Sequence, residues 1–306
     1  MIEVFYNSIR WDLREKPPRN SWINVVRPTE EEVNKLKEMF NLPDFMFSSL
    51  RDMDEQSRTE RYKKFRFIIV RTPQKRSNGE RVEYFTVPLG IIISDEYLIT
   101  ICFSENDVIE KLRRSKFSTA KKIRTTLRIL YISARLYLEY LKEINRETHI
   151  IQEELRRSMR NEELFKLLRL EEALVYFNTS LRSNQLLIEK LTKSKVFTRY
   201  SQDKELLEDV IVENQQALEM TNIYSDILGG MMDAFASIIS NNLNIVMKFL
   251  TSVTIILMIP TLISSFYGMN VALPFQRSPN AFLIILGLSM LFSILGMILF
   301  WKRELF

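Results

Sequence analysis

Ten residues at alternating four- and three-residue steps share one face of a helix: Asp233, Ser237, Ser240, Asn244, Met247, Thr251, Thr254, Met258, Thr261 and Ser265. Eight of the ten are polar, and the row points toward Asn270 in the run Tyr267-Gly268-Met269-Asn270. Hydroxyl and amide oxygens without net charge accept hydrogen bonds from the water around a divalent cation and do not strip that shell, which Mg²⁺ holds most tightly. A ring of carboxylates in the same place would bind too tightly to release. Asn270 is thus a neutral cation ligand suited to selection, or else Gly-Met-Asn merely caps a helix. The apolar Met247, Leu250 and Met258 would form constrictions able to gate by excluding water.

The elements that position this row are two apolar runs, 249–267 and 281–301, neither holding an Asp, Glu, Lys, Arg or His. Each is long enough to cross a bilayer as a helix. The thirteen residues between them carry one charge, Arg277, and two prolines, Pro274 and Pro279. Upstream of Pro260 no proline interrupts the stretch from Ser201, so one helix over 201–267 is expected, on the order of 100 Å long. Leu207, Ile211, Leu218, Leu228, Met232, Phe235 and Ile239 lie at or near heptad spacing, which suits a stalk packed against neighbours. Between Ser201 and Lys248 stand Asp203, Glu205, Glu208, Asp209, Glu213, Glu219, Asp226 and Asp233 against only Lys204 and Lys248. Those acids are either a solvated face or, with several such helices around an axis, a negative interior that attracts cations. Two helices leave no closed lumen, so a pore requires a ring of identical chains.

Of 43 Lys and Arg, all but Arg277, Lys302 and Arg303 precede residue 249. Two spans return the chain to one side, and Lys248, Lys302 and Arg303 flank that side. The positive-inside tendency therefore predicts a cell-membrane protein with both termini cytoplasmic. The start, Met1-Ile2-Glu3-Val4, has no basic segment followed by a long apolar one, so no signal peptide is expected.

Residues 1–120 read as a cytoplasmic α/β domain, with strands at 2–6, 22–26, 65–70, 81–89 and 98–103. A helix opens at Thr29, capped with Glu32 three residues on, and Ser77-Asn78-Gly79 makes a turn between two strands. Residues 121–200 read as a helical hairpin: Leu127, Leu130, Ala134, Leu138 and Leu141 recur at helical spacing, and 164–191 folds back. Then follow 201–248 as stalk, 249–268 as first span, 269–280 as external loop, 281–301 as second span and 302–306 as basic tail. A single Cys102 and a single His149, without phosphate loop or nucleotide fingerprint, leave little machinery for hydrolysis, so neither an enzyme nor a nucleotide partner is expected. Lys and Arg interspersed with Glu suit a surface facing anionic lipid better than nucleic acid.

Tyr267-Gly268-Met269-Asn270 between two C-terminal spans resembles the signature of the CorA family of magnesium and cobalt channels. Upstream, Asp233, Ser240-Asn241-Asn242-Leu243-Asn244, Met247-Lys248, Leu250-Thr251 and Pro260-Thr261 are similar to that family's pore helix. Leu207-Glu208-Asp209 with Glu213-Asn214, Trp22-Ile23-Asn24-Val25, Asn41-Leu42-Pro43 and Tyr97-Leu98-Ile99-Thr100 extend the resemblance over the whole chain. It implies a funnel-shaped homopentamer: an α/β N-terminal cytoplasmic domain, a long helical stalk, and two transmembrane helices, the first lining the pore. Gly268, Met269 and Asn270 would form the selectivity entrance, with Asn244, Thr261 and Ser265 along the path. Met247, Leu250 and Met258 would make the hydrophobic gate, Asp233 an acidic ring, and Lys302 and Arg303 a basic collar. Transported Mg²⁺, with Co²⁺ or Ni²⁺ as further cargo, would also regulate through Asp209, partnered by Asp95 or Glu96. Internal Mg²⁺ would then close the channel by negative feedback while the membrane potential drives influx.

Two departures from the family pattern stand out. The 271–280 loop lacks the acidic residues many members place there and holds Arg277, and the proline beside Met258 sits one position later, at Pro260. A zinc or cobalt carrier of the same superfamily, possibly proton-coupled, remains an alternative, although Met269 argues against the zinc branch. A non-conducting membrane-anchored scaffold is another, and it predicts a row packed against protein.

Overall fold

The computed structural model describes residues 2–6, 9–11, 16–79, 81–115, 117–157, 161–271, 273–275 and 278–303. The chain divides into two compact units, Met1–Gly229 and Gly230–Phe306.

The first unit is built on a seven-stranded sheet with order β2-β1-β3-β7-β6-β5-β4. Its strands are β1 (Ile2–Tyr6), β2 (Ile9–Trp11), β3 (Ser21–Val26), β4 (Arg58–Tyr62), β5 (Phe65–Asn78), β6 (Arg81–Ile93) and β7 (Tyr97–Cys102). Only β3 and β7 run parallel, with Ile23 opposite Ile99; the other neighbours are antiparallel. The β5–β6 hairpin turns at Gly79, whose φ of 64° is the left-handed conformation glycine adopts without steric cost.

Helix α1 (Glu30–Phe40) starts on the expected box: the Glu32 amide donates to Thr29 Oγ1 at 3.2 Å and the Thr29 amide to Glu32 Oε2 at 3.0 Å. It stops at Asn41, left-handed at φ 54°. With α2 (Asp44–Arg51) it covers one sheet face, where Val33, Leu36, Phe40, Met46, Phe47 and Leu50 meet Phe67, Ile69, Ile99 and Ile101. A side chain at Gly90 on β6 would place its Cβ 2.4 Å from Leu50 Cδ1, so only glycine lets α2 approach this closely.

Three more helices, α3 (Asp107–Arg114), α4 (Lys122–Arg157) and α5 (Asn161–Thr192), pack on strands β5 and β6. Tyr137 of α4 and Phe177 of α5, both fully buried, meet edge to face at 5.0 Å, and the Tyr137 hydroxyl donates to the Arg71 carbonyl at 3.1 Å. Arg71 is itself buried. Its guanidinium donates to Ser180 Oγ, Thr86 and the Met53 and Glu55 carbonyls, so neutral dipoles from β6, α5 and the 53–55 segment satisfy the charge.

Helix α6 (Ser201–Tyr267) is one 67-residue element. Its buried positions in the first unit are Asp203, Leu207, Val210, Asn214, Ala217, Thr221 and Leu228. Of the heptad residues, Leu207 and Leu228 are among these, while Ile211 and Leu218 are half-buried in the single chain. Small and polar residues are what face inward, because each is satisfied there: Asn214 donates to the Leu181 carbonyl at 3.2 Å, Thr221 to its own helix at Ala217, and Asp203 pairs with Arg124 at 2.8 Å.

In the second unit, α6 runs beside α7 (Ala281–Lys302). Ser252, Ile256 and Ser289 are buried, and a Cβ at Gly296 would sit 3.2 Å from Ile259 Cδ1, so α7 rests on the 252–256–259 edge of α6. Both helices are long and apolar enough to cross a bilayer, and only 11% and 6% of their most apolar windows are buried, unlike the core helix of a soluble protein.

Candidate ion pathway

At 100° per residue, the row from Asp233 to Ser265 lies on the side of α6 turned away from the edge that carries α7. All ten of its residues are exposed in the single chain, as is Leu250. The neighbouring helix therefore takes up the face of Ser252 and Ile256 and leaves the row exposed, approaching it only near its own end, where Phe300 borders Asn244, Met247 and Thr251.

Three hydroxyls on this face, those of Ser237, Thr254 and Thr261, share one arrangement. Ser237 donates to the Asp233 carbonyl at 3.0 Å, Thr254 to Leu250 at 2.8 Å and Thr261 to Leu257 at 3.3 Å. Each proton is spent on the backbone four residues earlier, which makes these side chains tolerable in an apolar span. Oxygen lone pairs remain on the outer side. Such a surface accepts hydrogen bonds better than it donates them, and the water around a cation presents its hydrogens outward.

Asn244, Met247 and Thr251 come together on a groove of about 430 Å³ whose opposite wall is Phe300, with Lys248 and Ser252 also lining it. Pro260 stands within the helix and removes the amide that would bond the Ile256 carbonyl, so a local bend is expected there.

The helix ends at Tyr267 without a left-handed glycine cap. Gly268 does not take a positive φ; its amide bonds the Ser264 and Ser265 carbonyls at 3.0 and 3.2 Å, and Met269 bonds Phe266 at 3.2 Å. The last turn simply tightens, and the left-handed residue of this loop is Phe275, at φ 62°. Met269 and Asn270 follow, both exposed. The Tyr267 hydroxyl donates to the Pro274 carbonyl at 3.1 Å and ties the loop back to the helix end. That role was not read from the sequence; a tyrosine at the last helical position, seven residues before a proline, was the available signal. Arg277 lies outside the described residues.

Lys302 closes α7, and the amide of Arg303 caps it onto Leu299, Phe300 and Trp301. Asp209 is exposed on α6. Glu96 pairs with Arg19 at 3.0 Å and Lys16 at 3.9 Å, and Lys122 donates to the Asp95 carbonyl at 2.6 Å. Among the described residues no three His, Cys, Asp or Glu side chains gather to hold a metal, so Asp209, Asp95 and Glu96 form no cage within one chain.

A family model described as CorA-like Mg²⁺ transporter protein matches residues 19–303. The cobalt/magnesium transport protein CorA of Methanocaldococcus jannaschii is 28% identical over 277 residues, 87% of this chain and 85% of that protein. The protein of the same description from Thermotoga maritima is 22% identical over 292 residues, covering 93% and 83%. The complete structure of the CorA magnesium transporter from M. jannaschii superposes with a TM-score of 0.84 at 26% identity, over 99% of this chain and 98% of that one.

Proposed function

The chain belongs to the CorA family, and from that premise we propose that it conducts hydrated divalent cations, Mg²⁺ first, through a pore lined by α6 in a ring of five copies. Mg²⁺ and Co²⁺ are the cargo its relatives are named for. The observation that carries the reading is the polar row itself: exposed along its length in the single chain, with the Ser237, Thr254 and Thr261 protons engaged by the backbone and their oxygens outward. Two spans of one chain cannot close around that row; a ring can.

Asn270 of each copy meets the entering ion through its amide oxygen and hydrogen-bonds the ion's water. Asn244, Thr251, Thr254, Thr261 and Ser265 continue that contact, so the shell travels with the ion. Met247, Leu250 and Met258 interrupt it with apolar rings that hold water out until the helices separate. Asp233 gathers cations at the cytoplasmic end, where Lys302 and Arg303 surround the helices. The membrane potential supplies about 2.3 kcal/mol per charge per 100 mV, and twice that for a divalent ion. Both termini lie in the cytoplasm.

Feedback rests on Asp209. An ion held between Asp209 and a neighbouring copy favours a symmetric closed ring, and its departure lets the copies move apart. Asp95 and Glu96 stand among Lys16, Arg19 and Lys122, cations that a bound metal would have to displace, so Asp209 is the sensing residue to test first.

Purified protein in liposomes with an internal Mg²⁺ indicator tests the proposal. Losing about 1 kcal/mol of hydrogen bonding per copy at five copies predicts that Asn270→Ala slows Mg²⁺ entry by about 100-fold or more. Equal flux for the variant and the parent removes Asn270 from the entrance, and no flux at any internal Mg²⁺ concentration removes the channel.

A further inference from the structure

A cavity of about 960 Å³ lies in the first unit between the β4–β5 turn, the start of α4 and the start of α6. The β4–β5 hairpin contributes Arg61, Lys63, Lys64 and Arg66, and α4 with the residue before it contributes Lys122, Arg124 and Lys121; against these seven cations the lining holds two carboxylates, Asp95 and Asp203. Asp203 is already paired with Arg124, and Lys122 is held by the Asn20 side chain and the Asp95 carbonyl. Among the described residues, Arg61, Lys63, Lys64, Arg66 and Lys121 make no ion pair with a carboxylate. Four of these five, all but Arg66, are exposed, and together they give the hollow a concentrated positive field.

Two local rules are broken here, both toward positive charge. Lys63 takes a left-handed φ of 51°, a conformation that glycine or asparagine adopts more readily. Helix α4 begins with Lys122 and Arg124 and no acidic residue, although the positive end of a helix favours carboxylates. Conflicts of this kind concentrate where a site is maintained at the expense of local preference. The inner cations also carry a desolvation cost. Burial, and then the nearby Arg61, lower Arg66 from the ordinary arginine value; burial lowers Lys122, opposed by Asp95 and Glu96. The Arg66 guanidinium lies 5.6 Å over the Phe197 ring, which holds it in place without neutralising it.

We infer that this cavity binds a small anion carrying two or more phosphate groups. A single phosphate would fill little of the volume and answer few of the charges. A chain of phosphates presents several charges at once to the hairpin cations and to Lys121 and Lys122 on the same lining. Tyr200, 60% exposed on the lining, carries the Arg199 guanidinium 5.6 Å over its ring, so a base would stack on its other side or displace that arginine. The chain has no nucleotide fingerprint, so this site would be marked by no motif. It shares Asp95 with the candidate partners of Asp209 but none of the pore row, so the pathway reading can fail without it.

Calorimetric titration of the full-length protein in detergent, with EDTA and no divalent cation, tests it with two probes: inorganic tripolyphosphate and ATP. Saturable binding of one molecule per chain is expected. The Lys64→Gln, Lys121→Gln double variant, altered only at exposed residues, should weaken it by about tenfold or more. Lys35→Gln, an exposed lysine outside the cavity, should leave it unchanged. Equal affinity for the two probes assigns the site to phosphate alone; tighter ATP binding that Tyr200→Ser removes assigns it to a nucleotide. No saturable binding of either probe, or binding that the double variant retains in full, overturns the inference.

Discussion

Helix α6 obeys opposite rules on the two sides of Gly229-Gly230. Upstream, its buried face mixes Leu207, Val210 and Leu228 with Asp203, Asn214 and Thr221, and the chain itself supplies a partner for each polar group. Downstream the sequence is far more apolar, yet only Phe235, Ser252 and Ile256 are buried. In the first stretch, burial follows hydrogen-bond satisfaction within one chain. In the second, an apolar surface is left to lipid and a polar row is left to something else. A soluble helix with this much bare Ile, Leu and Phe would aggregate. In a bilayer those side chains are already in their solvent, and the feature that calls for explanation is the uncovered row of oxygens.

If that difference is real, substitutions upstream should act on stability, and substitutions downstream on packing or flux. The largest stability effect is expected at Arg71. Arg71→Leu strands the Met53 and Glu55 carbonyls, while Ser180 and Thr86 keep only their bond to each other, and should cost about 3–5 kcal/mol, read by chemical denaturation of the full-length protein in detergent. A loss under about 1 kcal/mol would mean that water replaces the guanidinium and that this core is wetter than it looks.

Next comes the contact between α6 and α7. Gly296→Val drives a side chain into Ile259 and should cost about 1–3 kcal/mol of thermal stability, whereas Gly287→Val, with open space around it, should be neutral. Equal effects at both glycines would break the assignment of Ser252, Ile256 and Ile259 as the edge that carries α7. The smallest effect is expected at Asp209. It is exposed, so Asp209→Ala should leave stability unchanged while raising the internal Mg²⁺ needed for half-inhibition by about fivefold. An unmoved inhibition curve would take Asp209 out of the sensor.

The parts of this fold that could be read in advance are those where pattern and environment agree. The β-branched runs became β1, β3, β5, β6 and β7, and Thr29 with Glu32 made the box that starts α1. Strand β4 was not foreseen because Arg-Thr-Glu-Arg-Tyr does not alternate: as an edge strand it draws its stability from pairing with β5. Helices α2 and α3 are eight residues each, too short for a period to emerge, although Asn106 capping the Ile109 amide at 3.2 Å was a visible start signal for α3. The face that α6 buries within its own chain was not legible from apolar residues alone, because Asn214 and Thr221 lie on it.

For the candidate pathway, the helical spacing itself carried the row. What spacing could not give was the side α7 covers, nor the bond from Tyr267 to Pro274. The basic cavity was illegible for a different reason. Its cations come from separate segments, each unremarkable alone, and only the turn of β4 into β5 brings them beside the first turn of α4.

Adjacent cysteines on one turn test the central claim most directly. The chain's own thiol, Cys102, is buried, and burial pushes it above its ordinary value, so it can stay in place. Thr254→Cys puts a thiol on the polar row, and Val253→Cys puts one about 100° away at nearly the same depth. Protein in liposomes is treated with a small cationic thiol reagent while Mg²⁺ entry is followed. The account predicts that the reagent modifies Thr254→Cys and stops entry, and leaves flux through Val253→Cys untouched. Block at Val253→Cys alone, or no block at either, would place the water elsewhere and contradict it.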